Sequence, residues 1–108
     1  MRGLYLVTDR ALCGSRSLED VVSQALRGGV AYVQLREKNI STHFFIEEAR
    51  NIKALTSQYR VPLIINDRLD VALAVEAEGV HIGQDDMPYE AARKLLGPQA
   101  IIGLSVET

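Results

Sequence analysis

The stretch VQLREK, Val33 to Lys38, decides the fold. Side chains along a strand alternate between its two faces, so Gln34, Arg36 and Lys38 share one face and Val33 and Leu35 the other. A strand in an open sheet with helices on both sides reads as an almost unbroken apolar run. It should not hold Gln and Arg in its middle. A barrel strand can, provided its polar face points inward and up to a site at the carboxyl mouth. This stretch therefore predicts a (β/α)8 TIM barrel over a doubly wound sheet.

Working outward, strand-type and helix-type runs alternate along the whole chain. Strands are predicted at Gly3–Thr8, Val30–Leu35, Pro62–Asn66, Gly79–Ile82 and Ala100–Leu104. Between them lie helices at Ser17–Arg27, Ser41–Tyr59, Leu69–Ala77 and Pro88–Leu96. In the first helix Leu18, Val21, Val22, Ala25 and Leu26 form an apolar stripe at helical spacing. Ser17 is its expected N-cap, and Gly28-Gly29 ends it. In the second, Phe44, Phe45, Ala49, Ile52 and Leu55 are expected on one side, and Pro88 is expected in the first turn of the fourth. Such alternation with short connections means parallel strands and right-handed crossovers. The count makes residues 1–108 the N-terminal half of a single barrel domain: four βα units and a fifth strand.

Composition restricts function further. With 108 residues the chain builds one domain, and 47% hydrophobic with 24% charged residues is ordinary for a globular protein. A net charge of −2 carries no basic footprint for nucleic acid. No apolar run approaches the roughly 18 residues of a membrane span, and MRGLYLVTDR has no signal-peptide pattern. The single Cys13, beside Gly14, forms no internal disulfide and reads as an inert thiol. The expectation is a soluble, cytoplasmic α/β protein without nucleic-acid or membrane partners.

The segment INDRLDVALAVEAEGVHIGQDD, Ile65 to Asp86, raises the question of chemistry. Two apolar strands each end on acidic and amide residues, Asn66-Asp67 and Gln84-Asp85-Asp86. Taken singly, Asp67 reads as a helix N-cap with Asp70 three residues on, and Asp85 or Asp86 as an acid favouring the positive end of the next helix. Taken together, they come from loops that lie side by side at the carboxyl edge of a parallel sheet, where ligands bind. Mg²⁺ suits such an oxygen-rich pair, since it takes one or two carboxylates and completes its shell with water and phosphate oxygens. Arg36 and Lys38 project to the same rim and complement it, a guanidinium binding phosphate through two donors; the alternative is a solvated strand end. His81, among apolar neighbours, reads as structural, and His43 on a helix face carries no signal. No His/Cys metal cluster, Gly-rich phosphate loop or Ser/His/Asp arrangement is present.

YLVTDR, QLREK, INDR, GVHIGQDD and IIGLS, in that order and across essentially the whole chain, resemble the thiamin-phosphate synthase family. The resemblance implies a TIM-barrel transferase of thiamin biosynthesis, joining hydroxymethylpyrimidine pyrophosphate to thiazole phosphate with Mg²⁺ and releasing pyrophosphate. It implies Asp67 and Asp86 as metal ligands and Gln34, Leu35, Arg36, Glu37, Lys38, Asn66 and Ser105 as substrate-binding. Among these, Arg36, Lys38 and Ser105 would act in catalysis. A thiazole tautomerase is a related alternative, although it should not need the Arg/Lys and paired-Asp site. A half barrel that only binds or assembles is another. Relatives run to about twice this length, so the thiazole-phosphate site is expected beyond Thr108. The 108-residue chain alone is expected to be inactive and, with two open sheet edges, to self-associate.

Overall fold

Five strands and four helices alternate among the described residues of the computed structural model, which are 4–8, 16–37, 40–83 and 88–104. The order is β1 (Tyr5–Thr8), α1 (Leu18–Arg27), β2 (Tyr32–Leu35), α2 (Thr42–Gln58), β3 (Leu63–Asn66), α3 (Leu69–Val75), β4 (Gly79–Ile82), α4 (Tyr89–Leu96) and β5 (Ile101–Leu104). Every neighbouring strand pair is parallel, and the strands lie in sequence order, β1-β2-β3-β4-β5. An open doubly wound sheet reverses its strand order at a switch point. This sheet never reverses, so successive right-handed crossovers put every helix on the same side.

The core shows that sidedness. Val33, Leu35, Leu63, Ile65, Val80 and Ile82 occupy one face of the sheet. They share a single apolar cluster with Leu18, Val22 and Leu26 of α1, Phe45, Ala49 and Ile52 of α2, four residues of α3 and Ala92 of α4. The alternate positions, Tyr5, Val7, Tyr32, Gln34, Ile64, Asn66, Gly79 and His81, face the other way. The architecture is half of a (β/α)8 barrel, with helices outside and an inner face whose amide and imidazole groups, Gln34, Asn66 and His81, lie toward the carboxyl ends of the strands.

Local signals account for most helix ends. Ser17 and Ser41 cap α1 and α2, their hydroxyls accepting from Asp20 N–H at 3.1 Å and Phe44 N–H at 3.2 Å. Pro88 sits one residue earlier than expected, at the N-cap of α4 rather than inside its first turn. α3 stops at Val75, short of Ala77, because Glu76 takes a left-handed conformation, φ 57°. The stripe of α2 also differs. Phe44 is 60% exposed, and Glu48 and Thr56 join Phe45, Ala49 and Ile52 in the interior. Positions 45, 49, 52 and 56 fall on one helical face, and residue 44 lies about 100° round from it.

Two contacts close the lower, N-terminal end of the strands. Glu78 accepts from the Leu63 N–H at 2.8 Å and pairs with Lys53 of α2. Gly79 gives β5 its close approach: a Cβ there would lie 2.1 Å from the Ile101 carbonyl oxygen. Among the described residues no helix is long and apolar enough to cross a membrane.

Candidate active site at the carboxyl rim

The upper end of the inner face gathers the polar side chains. Gln34 and Asn66 sit on adjacent strands, and the Asn66 amide donates to Gln34 Oε1 at 2.9 Å. Gln34 is buried and Asn66 half-buried, so the bond orients both amides at the base of the rim. Asn66 is in register with His81, and His81 with Gly103. A Cβ on Gly103 would come within 2.7 Å of His81 Nδ1, so that glycine leaves room for the imidazole. His81 is thus part of the inner wall rather than of the helix-packed core. The two-residue period already sets it opposite Val80 and Ile82, a signal that its apolar sequence neighbours obscure.

Arg36 leaves the end of β2 exposed. Its N–H donates to Thr8 Oγ1 at 3.2 Å, and the Thr8 hydroxyl donates to the Gln34 carbonyl at 3.4 Å. A buried threonine of β1 therefore holds the backbone on both sides of Leu35. Leu35 itself is fully buried among the helices. Only its backbone can reach a ligand on the inner side. Glu37 follows Arg36 and is half-buried. Of the remaining expected site residues, Lys38, Gln84, Asp85, Asp86 and Ser105 lie outside the described residues, as does Cys13.

Asp67 departs from its simplest reading. The N-cap of α3 is Arg68, not Asp67, and the Arg68 side chain makes no capping bond. Asp67 is exposed and has φ 66°. Among the described residues three non-glycines have positive φ, and Arg60 and Glu76 lie at helix C-terminal ends, where that conformation is common. Asp67 instead follows a strand. It is the middle of a three-residue turn in which Arg68 N–H donates to the Asn66 carbonyl at 2.8 Å, a rare and strained geometry at positive φ. Its own N–H donates to the His81 carbonyl at 2.8 Å, tying the β3 loop to β4.

Arg68 is a residue that the sequence reading passed over. Its guanidinium makes bonds of 3.0 and 2.8 Å to the two Asp70 oxygens, one of 2.6 Å to Thr42 Oγ1, and lies 5.8 Å over the Phe45 ring. The hydrogen bond to Asp70 raises the Arg68 pKa, and the same bond lowers that of Asp70.

The donor set suits a hard cation: an exposed rim carboxylate, with the Asn66 and Gln34 amide groups beside it. Among the described residues no group of three or more His, Cys, Asp or Glu side chains forms a ready-made metal cluster. A cleft of about 540 Å³ lies elsewhere, near the start of β5, between Leu73 of α3 and Leu96 of α4. In a barrel that end serves stability, and chemistry sits at the carboxyl rim.

A one-sided half barrel with this rim has relatives. The sequence model of the thiamine monophosphate synthase family matches residues 4–108. The chain belongs to that family. It is 55% identical over 102 residues to a thiamine-phosphate synthase of Clostridium novyi, covering 94% of this chain and 50% of that protein. A thiamine-phosphate synthase of Leptospira biflexa is 54% identical over 108 residues, all of this chain and 51% of the relative. Among solved structures, thiamine phosphate pyrophosphorylase from Pyrococcus furiosus superposes with a TM-score of 0.87 at 41% identity, over 96% of this chain and 50% of that one. The chain spans about half the length of the curated relatives it matches.

Proposed function

We propose that residues 1–108 form the N-terminal half of one barrel domain in a cytoplasmic thiamin-phosphate synthase, and that this half holds the pyrimidine pyrophosphate substrate. The observation that carries the reading is Asp67: an exposed carboxylate at the rim, held in a left-handed turn just before the N-cap residue of the next helix. Left-handed backbone at a non-glycine residue costs on the order of 1–3 kcal/mol, aspartate lying at the low end, and persists where the surroundings over-determine it, most often at functional sites.

In this reading Gln34 and Asn66 hold the pyrimidine end, their mutual hydrogen bond fixing which amide atoms remain for the ligand. Arg36 grips pyrophosphate through two guanidinium donors, Lys38 adds a point charge, and Glu37, Ser105 and the Leu35 backbone complete the contacts. Asp67 and Asp86 would hold Mg²⁺, which supplies positive charge to the pyrophosphate oxygens when bound. In the transfer the C–O bond to pyrophosphate breaks and its electron pair leaves with that oxygen. The thiazole nitrogen then donates its lone pair to the exocyclic carbon. The residues' task is to stabilise departing charge, and no protein nucleophile is needed.

The test is a coupled assay for thiamin phosphate in the complete enzyme. Arg36→Lys should lower kcat/KM for the pyrophosphate substrate on the order of a hundredfold, because an ammonium lacks the planar fork. Asp86→Ala should nearly abolish turnover with the fold intact. A folded Asp86→Ala enzyme with parental turnover would exclude the metal assignment. Thiazole isomerisation without pyrophosphate release would assign the chain to the tautomerase branch instead.

A further inference from the structure

We infer that Arg68 is the positioning residue for the Asp67 carboxylate, acting as a clamp between the N-terminal ends of α2 and α3. The inference rests on the proposed cation site and names what holds its ligand in place. Asp67 at φ 66° needs support, because a left-handed L-residue reverts once its turn is released. Two backbone bonds define the turn, Arg68 N–H to Asn66 carbonyl and Asp67 N–H to His81 carbonyl, both 2.8 Å. Neither bond restrains the loop against α2.

The Arg68 side chain supplies that restraint. It engages α3 through two parallel bonds to Asp70 and α2 through Thr42 Oγ1, with its plane near the Phe45 ring. Phe45 is fully buried, so the surface under the guanidinium is rigid. Arg68 thereby ties the start of α3 to the start of α2. A planar, five-donor fork can satisfy Asp70 and Thr42 together, and a lysine ammonium cannot reproduce that geometry. The Arg68 contacts are directed to the loop's outer side, toward Asp70, Thr42 and Phe45, so the residue acts through Asp67 and not on the ligand.

The test uses the complete enzyme and Mn²⁺ with inorganic pyrophosphate, titrated by electron paramagnetic resonance without turnover. Arg68→Lys and Asp70→Asn should each weaken Mn²⁺ binding on the order of tenfold, the scale for residues that orient a metal ligand. Asp70→Asn leaves Arg68 in place and carries the test if Arg68→Lys does not fold. Val22→Ala, in the core behind α1, serves as the control: its melting temperature should fall while Mn²⁺ binding stays parental. Clamp variants that melt lower but titrate like the parent would overturn the inference and leave the cation site standing. A parent enzyme that takes up no Mn²⁺ would remove the cation site and the clamp's role together.

Discussion

Replacing Asp67 by glycine should separate the backbone demand of the turn from the chemistry of the carboxylate. At φ 66° an ordinary L-residue pays about 1–2 kcal/mol. Aspartate pays less, because its short polar side chain bonds locally. Alanine pays the whole amount and loses the carboxylate. Glycine pays no steric cost but carries roughly 0.5–1 kcal/mol of extra unfolded-state entropy. Asp67→Gly should therefore be about 1 kcal/mol more stable than Asp67→Ala and close to the parent. In a protein of barrel size that difference is about 2–4 °C in Tm. Both variants should lose turnover, on the order of a hundredfold or more, if the carboxylate stabilises the leaving group. Calorimetry of the complete enzyme measures the first effect and the coupled assay the second. Equal Tm values for the two variants would refute the left-handed turn. An active Asp67→Gly enzyme would refute the carboxylate's role.

Gly79→Ala should destabilise the sheet by about 3 kcal/mol, the upper end for overpacking, since the new Cβ meets the Ile101 carbonyl, which cannot rotate away. Gly103→Ala, by contrast, meets the His81 side chain first rather than backbone and should change substrate KM more than Tm. The Arg68–Asp70 pair adds a pH dependence of known sign. Asp70 has a lowered folded pKa, so its contribution is complete above the ordinary aspartate value of 3.8 and is lost as pH falls through the lowered one. Asp70→Asn should flatten the Tm profile in that acid window and nowhere else, with a small amplitude because Asp70 is largely exposed. The isolated 108-residue chain should fail the thiamin-phosphate assay and elute as oligomers by light scattering. Its β1 and β5 edges each pair on one side, and Tyr5, stacked on Tyr32 at 4.8 Å, is 57% exposed on the inner face. A compact, active monomer would overturn the half-barrel account.

Much of this molecule is local and so could be read from the chain. Period-two alternation put Gln34 opposite Val33 and Leu35, and it did so correctly because a strand's pleat depends only on its own backbone. Ser17 caps as expected, and Ser41, expected inside its helix, caps in the same way, since a cap needs only a hydroxyl and an N–H three residues on. Other features are decided by partners distant in sequence. Phe44 is exposed although it is as apolar as Phe45, because the direction of the core is set by the sheet and not by α2. Asp67 looked like a cap because its sequence neighbours allow one. Its turn is set by the His81 carbonyl on the next strand and by the reach of Arg68 to Thr42, 26 residues away. Local propensity cannot encode such contacts, for they exist only once β3, β4 and α2 have met in register.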